Sequence, residues 1–357
     1  MRTRRLLIGL VALAVVAVAS PGVAGATGSP HPPPGPVTVA SNLHNPRQIA
    51  VGPFGTLAVA EAGTGQVGAS DTSIPCGEGP EGPACVGDTG SVTAIFGAWT
   101  HRPVATRVVK GLLSVAAPDG SAATGVDAVT FGPWGSLSGI MTAVPADLPP
   151  KLARQNGQVL RFTPWGPQPV ADIASFSLSH LLPGNLPETD PYGILATRHG
   201  TYVADAAANT LLRVSNHGNI SIVKAFEVRA NDGYDGVPTS IAEHDGNLYV
   251  GQLSSLEPGL AKVTVLRPDG KVLKVYDGLS SVTGVAVAKN GDVYATELFT
   301  GEPFNSPGAL VKISARTGAR TVTELPAPGG VAVGGGSAYV SINSVSPTDG
   351  AVIRLPA

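Results

Sequence analysis

Acidic residues are sparse in this chain, 25 in 357 positions, yet three of them fall at one position of an internal repeat. Aligning the second apolar segment of each repeat puts Glu61, Met141, Asp205, Gln252, Glu297 and Ile342 in register. Asn45 and Asp190 stand just before the prolines that open two of the repeats. Oxygen donors gathered at one end of a fold suit a hard divalent cation such as Ca²⁺, which takes ~6–8 oxygen ligands. Without a cation, carboxylates brought together repel one another, and at least one pKa rises. A second chemistry is open to the same residues. An acid that ends a strand caps its own turn by accepting backbone N–H bonds, and Asp205 followed by Ala206–Asn209 fits that pattern. If the acids bound a cation, Glu61, Asp205 and Glu297 would be the candidates for acid–base work in a metal-dependent hydrolase or lactonase.

Other chemistry is thinly represented. The sequence has no GxSxG, no HExxH, no P-loop and no GxGxxG between strand and helix. Its seven histidines are scattered, and His199, His217 and His244 fall in predicted turns. The net charge of −2 and the absence of a Lys/Arg run argue against nucleic acid as a partner. Trp134 and Trp165, each after a proline, are expected to pack between structural units, with a ligand platform as the lesser option.

The elements that must position these residues follow from the repeat. Glycine (46) and proline (32) are abundant and charged residues make up only 13%, a composition of short strands and tight turns. One phrase, an apolar strand, a glycine-containing turn and a second strand, begins at Pro46, Val126, Pro191, Pro238, Val282 and Pro328. The spacings are 80, 65, 47, 44 and 46 residues. The last three match a four-stranded propeller blade, and the first two match one carrying insertions. Each copy is followed by a further pair of strand-like segments, with Asp269-Gly270 and His217-Gly218 supplying hairpin turns. The fold expected is an all-β, six-bladed β-propeller. Its last copy holds only three strands, so Pro36–Leu43 is expected to supply the fourth, closing the ring and removing two exposed sheet edges.

The N-terminus reads as an export signal. Arg2, Arg4 and Arg5 precede the apolar run Leu6–Ala19, and Ala24-Gly25-Ala26 offers a cleavage site, so residues 1–26 are expected to be removed. Residues 27–35 form a Gly/Pro-rich leader, and 36–357 form the propeller. The apolar run is shorter than the ~20 residues of a membrane span, and no later stretch reaches that length, so no stable insertion is expected after cleavage. In an exported protein Cys76 and Cys85 are expected to form a disulfide. Three insertions, 63–89, 141–157 and 178–189, are long loops on a rigid ring, where binding specificity usually resides.

These phrases resemble the ScyD/ScyE family of secreted propellers. The resemblance is carried by NPRQIAVGPFGTLAVAEAG (45–63), GDTGSVTAI (87–95), ATGVDAV (123–129), ADIASFS (171–177), TDPYGI (189–194), VADAAANTLLRV (203–214) and VPTSIAEHDGNLYVGQL (237–253). It spans the mature chain in order and implies an exported, TolB-like, six-bladed propeller with NHL-like repeats. The family pattern has an Asn-rich stretch before its DPYG-like motif, whereas here LPGNLPETDPYG keeps only Asn185. The function expected is a monomeric scaffold that binds an extracellular ligand or protein, with no firm cofactor beyond a candidate divalent cation. The hydrolase reading is the alternative.

Overall fold

A computed structural model describes residues 35–72, 74, 76–79, 82–144, 147–228, 234–303 and 305–357. The expected export signal, 1–26, and the expected leader apart from Gly35 lie outside the described residues.

Six antiparallel sheets form the blades of a propeller. Blade 1 runs Pro46–Val51, Leu57–Glu61, Gly82–Phe96 and Val104–Ala116, with the short Gly77–Gly79 strand added at one end. Blade 2 runs Val126–Phe131, Leu137–Met141, Gln158–Thr163 and Gly166–Asp172. Blade 3 runs Pro191–Thr197, Gly200–Asp205, Thr210–Val214 and Ile220–Ala225. Blade 4 runs Pro238–His244, Asn247–Gln252, Ala261–Leu266 and Val272–Leu279. Blade 5 runs Val282–Val287, Val293–Glu297, Gly308–Ile313 and Arg320–Leu325. Blade 6 takes Val331–Gly334, Ser337–Ile342 and Gly350–Pro356 from the C-terminus and its outer strand, Val37–Leu43, from the N-terminus. The expected closure is therefore present, with Val37 opposite Arg354 and Leu43 opposite Gly350.

The strands alternate as the sequence does. Second strands are largely buried and innermost strands are buried over much of their length, while outer strands such as Arg320–Leu325 bury little. The core consists of apolar layers between neighbouring blades, and Val39, Leu43, Leu57, Val59, Ile95, Tyr339 and Val352 seal the blade 6–blade 1 seam. Around the axis, Ile49, Val129, Ile194, Ile241, Val285 and Val331, one from each innermost strand, enclose a cavity of about 40 Å³. Neighbouring innermost strands approach closely there: a Cβ on Gly193 would stand 2.6 Å from the Thr239 carbonyl oxygen, which reserves the position for glycine.

Strand direction gives the ring two unlike faces. Loops that enter innermost strands and loops that leave second strands share one face, the mouth, and all three insertions lie there. Among the described residues the other face carries hairpin turns and the two ends of the propeller, the start of Val37–Leu43 and the end of Gly350–Pro356. Cys76 and Cys85 form the expected disulfide inside the first insertion. The expectation for the tryptophans is corrected: Trp134 and Trp165 sit at hairpin tips, 94% and 89% exposed, and pack between no blades. A turn tip projects beyond the sheet, so no neighbouring blade reaches it.

Candidate functional site at the channel mouth

The aligned residues occupy equivalent places. Glu61, Met141, Asp205, Gln252 and Glu297 each end a second strand, opposite the first residue of the innermost strand of the same blade. Each acid turns back onto its own blade. Glu61 accepts the His44 backbone N–H at 2.8 Å, hydroxyl hydrogens from Ser91 and Thr93, and an ion pair from Arg107 at 2.8 Å. Asp205 accepts the Asp190 and Ala208 N–H groups and the hydroxyls of Ser177 and Thr189. Glu297 accepts the Ser280 N–H at 2.9 Å, and burial raises its pKa. Gln252 accepts from Thr264 at 2.6 Å. The shared element is a carboxylate that ties the segment entering a blade to the second strand of that blade. No hydrogen bond or ion pair links Glu61, Asp205 and Glu297 to one another among the described residues. No group of three His, Cys, Asp or Glu residues placed to hold a metal ion occurs among those residues either.

Asn45 is fully buried and joins three loops. Its amide donates to the Gly63 and Gly120 carbonyls and its oxygen accepts from Ala123. Asp190 connects the outer ring to an inner one, because its N–H binds Asp205 and its carboxylate accepts from Thr142.

That inner ring is not evident from the sequence alignment of acids. Five blades carry a register shift immediately after the first residue of the innermost strand: after Pro46, Val126, Pro191, Pro238 and Val282. A bulge adds a residue to one strand and re-aims its side chain, and bulges concentrate beside functional sites. The residues at the shift are Arg47, Asp127, Tyr192, Thr239 and Thr283. In blades 4 and 5 the threonine hydroxyl crosses to the next blade, Thr239 to the Val282 carbonyl at 2.8 Å and Thr283 to the Pro328 carbonyl at 3.2 Å. Arg47 does the same toward blade 2, donating to the Ala123 carbonyl. A threonine therefore suffices to stitch blade to blade, and the ionisable residues of blades 1–3 exceed that need.

Their geometry is unusual for a stitch. The Arg47 guanidinium donates to the Tyr192 phenol oxygen at 3.3 Å and lies 5.9 Å from the centre of its ring. The Arg47 Nε stands 3.6 Å from Asp127 Oδ1, beyond hydrogen-bond distance, and both atoms are buried without a hydrogen-bond partner. The other Asp127 oxygen accepts from Thr124 at 3.2 Å. Burial pushes the Asp127 carboxyl up to about 8, against the pull of Arg47 and with a further push from Asp190. Burial, and then the charge of Asp205, push Asp190 up to about 6, with Arg47 opposing. Near neutral pH the cluster therefore holds a proton on a carboxyl group beside a guanidinium. It can donate, accept and transfer protons within a few ångströms. The signal that could have located it was in the alignment: Arg47, Asp127 and Tyr192 share one repeat position with Thr239, Thr283 and Gly329.

No protein-family model matches the sequence, and no curated protein matches it. Solved structures match the shape. The streptogramin B lyase structure superposes with a TM-score of 0.50 at 13% identity, covering 90% of this chain and 97% of that one. The PQQ-bound aldose sugar dehydrogenase of Streptomyces coelicolor superposes at 0.51 with 14% identity, covering 91% and 99%. Likeness at this level of identity reports the fold, and what these comparisons establish for the chain is the six-bladed β-propeller.

Proposed function

We propose that the chain is an exported, ScyD/ScyE-like binding propeller that takes a hydroxyl-bearing small molecule at the channel mouth. The observation that carries this reading is the buried ion pair of Arg47 Nε and Asp127 Oδ1, 3.6 Å apart at the bulges of blades 1 and 2, in which neither atom makes a hydrogen bond. A buried donor and acceptor without partners are costly, roughly 1–3 kcal/mol each. A hydroxyl group accepts from the guanidinium and donates to the carboxyl oxygen, so one such group satisfies both. The insertions crowd the same face, where they would contact the remainder of the ligand. Export is supported by the Cys76–Cys85 disulfide.

The test is a calorimetric screen of polyols and simple sugars against the purified protein and its Arg47→Met and Asp127→Leu variants. Binding by the native chain that falls at least roughly tenfold in both folded variants is expected. Binding that is indifferent to both substitutions, or absent across the panel, would overturn the reading.

The raised pKa values of Asp127 and Asp190 favour a second reading, acid–base hydrolysis of a lactone or ester at the same ring. Turnover of a lactone panel by the native chain, lost in Asp127→Asn while binding survives, would select it.

A further inference from the structure

The face opposite the mouth carries the largest exposed aromatic side chains of the molecule. Phe54 is 95% exposed and Trp134 is 94% exposed, each at the tip of the first hairpin of its blade, and Trp165 (89%) and Trp99 (53%) sit in the outer turns of the same two blades. All three tryptophans of the chain are therefore on one face of adjacent blades. The two tips are built alike, Gly-Pro-Phe-Gly and Gly-Pro-Trp-Gly. In each, the leading glycine N–H closes onto the residue four positions on, Gly52 to Thr56 and Gly132 to Ser136, both at 2.7 Å. Phe54 is held at φ 56°, in the left-handed region that costs a bulky residue energy. The tips adjoin: a Cβ on Gly135 would lie 3.2 Å from Pro53, and one on Gly55 would meet the Trp99 ring. An apolar cleft of about 240 Å³ between Phe54, Trp99 and Tyr339 continues the patch toward blade 6.

Charge is divided between the two faces. Arg102, Arg198, Lys289 and Arg316 stand on turns of the aromatic face, outside any ion pair among the described residues. Of the acids of those turns, Asp269 is matched by Arg267 and Asp292 by Lys312, while Asp245 stands 3.4 Å from His244 Nε2. Asp119, Asp147, Glu188, Glu257, Glu302 and Asp349 lie on loops of the mouth face.

We infer that this face docks peripherally on an anionic lipid surface, with the Phe54 and Trp134 rings in the headgroup layer. Aromatic rings at the level of lipid headgroups anchor proteins there, and basic residues around them are drawn to anionic lipid. A glycan platform is disfavoured because the rings of Phe54 and Trp134 are flanked by proline and glycine, which offer no side-chain hydrogen bonds to sugar hydroxyls. The mouth, with its acidic loops, would face away from the bilayer and stay open to ligand.

The tryptophans supply the probe. The protein is mixed with vesicles of phosphatidylcholine alone or with phosphatidylglycerol, and tryptophan emission and co-sedimentation are followed. A blue shift and co-sedimentation with the anionic vesicles are expected, stronger than with neutral ones by roughly fivefold per basic residue engaged. Phe54→Ser combined with Trp134→Ser should weaken partitioning by at least roughly tenfold per ring. Its circular dichroism melt should match the native one, since both tips are exposed. Equal partitioning of the double variant, or no binding to anionic vesicles, would overturn the inference. So would a blue shift induced by protein concentration alone, which would mark a self-association face, or by heparin but not by vesicles, which would mark a polyanionic glycan.

Discussion

Replacing Asp127 with asparagine separates the two states that the inner ring holds. The native carboxyl is raised to about 8, whereas an unfolded aspartate titrates near 3.8. Between these values the folded chain carries one proton more than the unfolded chain. Stability from this group is therefore complete below pH 4 and declines as pH rises through the folded value. The slope for one proton is about 1.4 kcal/mol per pH unit, so roughly 2–3 kcal/mol should be lost between pH 6 and 8. Asp190, raised to about 6, loses its share mostly below pH 6 and contributes little to that interval. Asparagine resembles the protonated acid in shape and cannot ionise, so Asp127→Asn should lack this slope and cost about 1 kcal/mol or less at pH 6. Urea unfolding of both proteins at pH 6, 7 and 8 gives the comparison, and the difference between them cancels the histidines and every other shared group. Parallel pH profiles would mean that Asp127 is ionised in the folded chain, and the account of a proton held in the ring would fail.

Removing residues 36–43 should abolish soluble monomer, because burial of Val39, Ala40 and Leu43 contributes roughly 4–6 kcal/mol, much of a domain's net stability, and the loss bares the long edge of Gly350–Pro356; size-exclusion chromatography reads the outcome. Arg107→Ala leaves the Glu61 carboxylate buried without its cation and should cost roughly 3 kcal/mol or more, while Arg107→Lys recovers part of it, as measured by urea midpoint. Because both oxygens of Glu61 and of Asp205 already accept donors, and one oxygen of Glu297 does, millimolar Ca²⁺ or a chelator should move Tm by less than about 1 °C; a shift of several degrees would reveal a bound cation. Reduction of Cys76–Cys85 should lower stability by roughly 2–3 kcal/mol and loosen the first insertion, seen as faster proteolysis there.

The ring was legible because it is repeated. Six openings from Pro46 to Pro328, and a last copy one strand short, determine both the blade count and the closure at Val37–Leu43, without knowledge of any single contact. The acids at the ends of the second strands were legible as a set for the same reason. Their partners were not, since Ser91, Thr93 and Arg107 reach Glu61 from strands whose register the sequence does not print. Arg47, Asp127 and Tyr192 were missed on different grounds. A strand alternates its side chains between faces, and the bulges that redirect these three add a residue without any compositional mark. Trp134 and Trp165 were misread because a large apolar ring in an aromatic-poor chain suggests packing. Position within the turn overrides that preference: the ring at a hairpin tip has no second layer to meet.

The seam in blade 6 also has a temporal meaning. Val37 belongs to the first described strand and Arg354 to the last, so their pairing joins strands far apart in the sequence. Loop-closure entropy makes such a contact slow to form. An open arc of five blades can therefore form before the ring becomes a circle. The waiting strand, with apolar Val39 and Leu43 bare, is the segment that a chaperone would need to shield in that interval.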